Sequence, residues 1–158
     1  MRGWRGALIC VFTIYIAAAA EESFGDWRLL GGRTDFLLLA MSVLCTFASR
    51  RGGALLGFSA GWLYGALDGA NMWQYVASRT LGGFAIAWLA ESGIVRGYLT
   101  AVVAGVFGVI FCQCIQMFLA PPPVIGHFLG DTIRTAAYNG VLAILVYAVF
   151  KRILDPRG

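Results

Sequence analysis

The stretch GGALLGFSAGWLYGALDG, residues 52–69, decides how this chain is read. Gly53, Gly57, Gly61, Gly65 and Gly69 recur at every fourth position, and Asp68 is the only charge among them. A glycine inside a helix costs about 1 kcal/mol relative to alanine in water. Five in one soluble helix would therefore be a poor choice. A bilayer reverses the argument, because helix association there draws on close backbone contact, which small residues permit. Four residues advance a helix by about 6 Å, so the stripe predicts a smooth groove about 24 Å long, nearly the hydrocarbon thickness. Each step of four also drifts about 40° around the axis, so the groove slants and suits a crossed neighbour.

Composition points the same way. Hydrophobic residues make up 59% of the 158 positions and charged residues 13%, about half the charge of a soluble domain. Mean hydropathy is +0.77. The length suits one polytopic membrane domain over residues 1–158. The net charge of +4 comes from basic residues in short connections, which suits topology signalling and argues against nucleic-acid binding.

Six hydrophobic segments stand out, at residues 4–20, 36–49, 53–67, 76–90, 98–119 and 132–150. They predict an all-α integral membrane protein, a six-helix transmembrane bundle. The second and third are shorter than the usual span of about 20 residues. The Arg50-Arg51-Gly52 joint is tight and predicts that they are antiparallel neighbours. Arg2, Arg5, Arg50, Arg51, Arg96, Lys151, Arg152 and Arg157 fall on one side, against Arg28, Arg33, Arg79 and Arg134 on the other. The positive-inside rule then puts both termini in the cytoplasm. Arg2 and Arg5 ahead of an apolar run ending in Ala17–Ala20 also fit a cleavable secretory signal, and cleavage there is the alternative to a retained first span. Pro121-Pro122-Pro123 predicts an extended outer loop before the sixth span.

Chemistry has few residues to run on. Gly57-Phe58-Ser59-Ala60-Gly61 matches the G-x-S-x-G nucleophile pattern, but that elbow needs a strand–turn–helix setting. The one histidine, His127, is expected in the outer loop. Ser59 reads as a small residue at a helix contact, and an intramembrane hydrolase is the rival. Cys10, Cys45, Cys112 and Cys114 lie in apolar runs without a histidine cluster, so they read as small buried residues. We expect no catalytic residue, no metal and no cofactor. Asp35, Asp68, Arg79, Asp131 and Arg134 gather near the outer ends of the spans. They predict a polar outer rim that docks a partner or lines a pocket, with Asp35 and Asp131 as N-terminal helix acids. Asn139 is the polar residue deepest in the sixth span, and Gln113 and Gln116 in the fifth read as packed amides or as ligand-facing groups.

Arg33-Thr34-Asp35-Phe36-Leu37-Leu38-Leu39 is similar to the R-P-(D/N)-aromatic-L-L-L opening of the second span in the rod-shape-determining MreD family. Gly57-Phe58-Ser59-Ala60-Gly61-Trp62-Leu63-Tyr64 resembles that family's G-F-x-x-G-L-x-x-D segment, and Gly69 falls on its next glycine. The likeness covers about residues 33 to 90. Thr34 stands in the proline position, Gly65 in the aspartate position, with the acid one turn later at Asp68, and Trp73 in a further glycine position. The resemblance implies a non-enzymatic scaffold of the cell-elongation machinery in the bacterial inner membrane. Its implied partners are MreC, the actin-like MreB, and RodA with its transpeptidase. The implied fold is similar to the substrate-binding subunits of energy-coupling-factor vitamin transporters. A substrate-binding subunit of a small-molecule transporter is therefore the alternative function. In the scaffold reading, the stripe Gly53, Gly57, Gly61, Gly65 and Gly69 admits a helix, either from within the bundle or from a partner.

Overall fold

The computed structural model describes residues 4–24, 28–29, 32–69, 72–93 and 97–154. The helices are α1 (Trp4–Phe24), α2 (Phe36–Cys45), α3 (Arg50–Asp68), α4 (Met72–Glu91), α5 (Tyr98–Leu119) and α6 (Ile125–Leu154). Between α1 and α2, β1 (Arg28–Leu29) pairs antiparallel with β2 (Gly32–Arg33), and β2 lies against α6. Apart from that two-residue ladder the described fold is all-helical.

Helix α2 is the axis of the molecule. It touches each of the other five helices, and Leu37 through Cys45 are all buried. A helix apolar on every side belongs in the middle of a bundle. It is also short: 10 residues span only about 15 Å. Thr46 ends it by donating its hydroxyl to the Val43 carbonyl at 2.7 Å. The Thr46, Phe47 and Ala48 amides then donate to carbonyls three residues back. Ser49 caps α3, its hydroxyl accepting from the Gly52 amide at 3.3 Å. The α2–α3 joint is therefore Thr46–Ser49, and Arg50, Arg51 and Gly52 form the first turn of α3.

Two antiparallel hairpins, α3–α4 and α5–α6, surround α2. α1 packs on α2 and on the edge of α3. Three helices are long and apolar enough to cross a bilayer: Gly6–Phe24, Tyr98–Leu119 and Ile125–Ile153. α3 and α4 have the length, at 19 and 20 residues, but their glycines and charged residues make them less apolar. This is the pattern of a membrane protein whose most polar helices are paired with each other.

The extended loop expected before the sixth span is short. α6 begins at Ile125, two residues after Pro123, and its 30 residues measure about 45 Å. His127 is therefore in the first turn of α6, not in a loop. Asp131 is the seventh residue of that helix, so it is not an N-terminal acid. Asp35 is one: it caps α2 and accepts from the Leu38 amide at 2.7 Å. α1 runs through Glu21 and Glu22, and Ile14 and Ala17 belong to the core, so the first hydrophobic segment is an integral part of this fold.

Candidate functional site

The glycine stripe is filled from within. Gly53 faces Gly83 and Ala87 of α4, Gly57 faces Arg79 and Thr80, Gly61 faces Tyr75 and Val76, and Gly65 faces Met72. Partner positions fall as stripe positions rise, so the hairpin is antiparallel. A methyl group at Gly61 would lie 2.5 Å from the Tyr75 carbonyl oxygen and 2.8 Å from Val76 Cα. Both are backbone atoms and cannot swing aside. The working groove is thus four glycines, Gly53 to Gly65, about 18 Å long. Gly69 does not belong to it. Gly69 caps the C-terminus of α3 at φ 66, with nothing within 4 Å of the place a Cβ would take. That left-handed turn favours glycine for conformational reasons alone. A partner-docking role for the stripe is therefore displaced by α4.

Close approach at Gly57 has a consequence for charge. It sets the backbone of Arg79 directly against α3, and the Arg79 side chain turns inward to α2. There Nη2 donates to Asp35 Oδ2 at 2.6 Å, with side chains 2% and 13% exposed. The Tyr64 ring covers the guanidinium, 4.0 Å from Cζ to the ring centroid. Tyr64 in turn meets Tyr75 at 4.8 Å between centroids, and the Tyr75 hydroxyl donates to Asp68 Oδ2 at 2.9 Å. On the far side, the Asn139 amide donates to the Asp35 backbone carbonyl at 3.3 Å. A continuous chain thus runs Asp68–Tyr75–Tyr64–Arg79–Asp35–Asn139, linking α2, α3, α4 and α6.

The predicted rim divides. Asp35 and Arg79 are an interior ion pair, and Asp68 reaches them through two tyrosines. Asp131 and Arg134 stand apart on exposed α6 surface, facing each other at 3.9 Å across one turn. Asn139 sits eight residues further on, about 12 Å along the same helix. Sequence reading placed Arg79 at a membrane edge because the fourth span was started at residue 76. In the structure Arg79 lies seven residues into a helix that begins at Met72, a start that the sequence does not mark.

Further carboxylate chemistry gathers at the same end of α2. Buried Glu21 accepts from the Phe36 amide at 2.7 Å, so α1 and the residue before α2 both satisfy its orphan amides. Gln116 is a packed amide: its Nε2 donates to Ser78 Oγ at 3.2 Å. Cys112 is a buried thiol donating to the Ser78 carbonyl at 3.4 Å, and Cys45 a buried thiol 3.7 Å from the Gly53 carbonyl. Cys114 faces outward. Ser59 donates its hydroxyl to the Leu56 carbonyl at 3.0 Å, one turn back in its own helix, and His127 is exposed at the start of α6. No group of three or more metal-ligating side chains occurs among the described residues.

Two open grooves flank α1. One, about 490 Å³, runs between α1 and α3 past Gly6, Cys10, Ile14, Gly52, Leu55 and Ser59. The other, about 420 Å³, lies between α1, α2 and α6. Neither is lined by Asp35, Asp68, Arg79, Asp131 or Arg134, so the predicted rim does not surround either of them. Arg2, Arg96 and Arg157, which bear on the expected orientation, lie outside the described residues. No protein-family model matches the chain, and comparison with curated proteins and with solved structures gave no match.

Proposed function

We propose that this chain is a non-enzymatic scaffold of the machinery that builds the lateral wall of rod-shaped bacteria. In this reading it crosses the inner membrane six times, keeps both termini in the cytoplasm, and assembles with MreC, MreB, RodA and its transpeptidase. One observation carries the reading. The two stretches that resemble the MreD family, residues 33–39 and 57–64, converge on one residue. Asp35 from the first pairs with the Arg79 guanidinium. Gly57 and Tyr64 from the second pack against the Arg79 backbone and guanidinium. Motifs far apart in sequence that serve one buried contact make a structural unit, and a chance match of short strings gives no reason for that. With α4 seated on the stripe, partners dock on the outward faces of the bundle.

The test is affinity purification in mild detergent from the native membrane, with mass spectrometry of everything recovered. The expected result is MreC together with wall-synthesis enzymes, and rounding of rod-shaped cells when the protein is depleted. Recovery of ATPase subunits or of a tightly held small molecule would overturn the scaffold reading in favour of a transporter subunit.

A further inference from the structure

The groove between α1 and α3 has a chemistry that selects its occupant. Its walls are mainly aliphatic, from Ala7, Val11, Ile14, Leu55, Leu56 and Leu63, with the Tyr15 ring beside them. The Ser59 hydroxyl is already spent on the Leu56 carbonyl. No acidic residue lines it. One end is marked by Ser49 and Gly52, and exposed Arg51 sits between those two residues, one turn before Leu55 and two before Ser59 on the same side of α3. Helical side chains lean toward the N-terminus, so the Arg51 guanidinium extends off the end of the groove and away from the bilayer centre. Its neighbour Arg50 points elsewhere and is neutralised, with Nε donating to Glu91 Oε2 at 2.6 Å. Arg51 has no such partner among the described residues.

An apolar trough lying along the bilayer depth, with an uncompensated cation at its mouth, matches an acyl chain joined to an anionic headgroup. We infer that the α1–α3 groove is a binding site for one anionic phospholipid, its acyl chain along Leu55, Leu56 and Ile14 and its phosphate at Arg51. Lipid is the occupant because the groove opens sideways at a helix face that the bilayer surrounds. Basic residues beside interhelical clefts are the recognised chemistry for such headgroups. The bound lipid fills the gap beside α1, which packs on α2 but only lightly on α3, and so ties α1 to the hairpin. This inference depends on the membrane setting and not on the wall-synthesis reading.

The test uses the full chain in neutral detergent, supplied in turn with phosphatidylglycerol and phosphatidylcholine of the same acyl composition. Lipid retained per protein is read by native mass spectrometry, and thermal unfolding is followed alongside. The wild type should retain one phosphatidylglycerol in preference to phosphatidylcholine, with a higher unfolding temperature in its presence. Arg51→Gln should cut the preference about fivefold, the weight of one basic residue against an anionic surface. Arg152→Gln, exposed on α6 away from the groove, should leave it unchanged. Ser59→Phe, which fills the trough, should lower retention of both lipids. Equal retention of the two lipids by the wild type, an equal loss in Arg152→Gln, or undiminished retention in Ser59→Phe would each overturn the proposal.

Discussion

Asp35→Asn is the sharpest probe of the polar core, because it changes charge and little else. The asparagine oxygen can still accept from the Leu38 amide, so the α2 cap survives. What goes is the anion facing Arg79. Nε and Nη1 of Arg79 have no hydrogen-bond partner among the described residues, and its remaining support is the face of Tyr64. Leaving one member of a buried pair without its counter-charge costs about 3–5 kcal/mol. The Tyr64 face returns part of that, about 0.5–2 kcal/mol. Arg79→Leu should cost less, about 1–3 kcal/mol, because Asp35 keeps the Leu38 amide and is the more exposed member of the pair. The double variant Asp35→Asn/Arg79→Leu removes both charges and should be more stable than Asp35→Asn alone. Coupling between residues in direct contact reaches about 0.5–3 kcal/mol, and this pair belongs at the upper end. The assay is reversible unfolding in mixed detergent–SDS micelles, followed by the fluorescence of the five tryptophans. Two results would refute the reasoning: single effects that add to the double within about 0.5 kcal/mol, or an Asp35→Asn loss too small to separate from wild type.

Three further outcomes follow from the same contacts. Gly61→Leu should abolish accumulation of folded protein in the membrane, because its side chain meets α4 backbone, whereas Gly69→Leu meets open space and should cost about 1–2 kcal/mol of left-handed strain; fluorescence of a C-terminal reporter fusion before and after mild detergent extraction separates them. Glu21→Ala should lower stability by about 0.5–2 kcal/mol, the range of a lost helix cap, and should increase protease access to the α1–α2 connection. Arg50→Ala, at an ion pair whose side chains are 51% and 37% exposed, should change the unfolding midpoint by no more than about 1 kcal/mol; a large loss would mean the pair is more shielded than its exposure indicates.

How much of this was legible in the sequence depends on which force sets each feature. Hydropathy located all six helices, because lipid and core both demand apolar side chains. It could not set their ends. α2 stops at Cys45, where the Thr46, Phe47 and Ala48 amides turn to carbonyls three residues back, and hydropathy does not register those bonds. α6 starts at Ile125, two turns ahead of the apolar segment, across Gly126, His127, Gly130 and Asp131, which neither hydropathy nor helix propensity marks as helical. The glycine spacing identified a close helix contact but not its owner. The partner face on α4 carries Gly83 and Ala87 at one end, while Arg79, Tyr75 and Met72 contribute backbone, and backbone has no sequence signature. Arg79 was the hardest case. Nothing in its neighbours distinguishes an arginine that snorkels outward from one turned in toward an acid 44 residues away.

The α3–α4 contact accounts for glycine at position 65 and for the acid at position 68. An aspartate at position 65 would place its Cβ 2.8 Å from Met72 Cα, so in this chain that position has to be glycine for α4 to close against α3. The acid one turn later, Asp68, lies beyond the contact, where the helices have room for it. From there it holds the Tyr75 hydroxyl, and Tyr75 supports Tyr64 over Arg79. The Asp68 carboxylate is thus linked to the Asp35–Arg79 pair through two aromatic rings. An acid at position 68 thus reaches the pair from outside the close contact, and glycine at 65 leaves the hairpin tight. The same tightening presses Gly57 against Arg79 and turns its guanidinium into the core. Glycine at 57, 61 and 65 and the buried ion pair are therefore one device. The stripe brings α4 close enough for Arg79 to reach α2, and Asp35 gives a helix of 10 residues both its cap and its anchor.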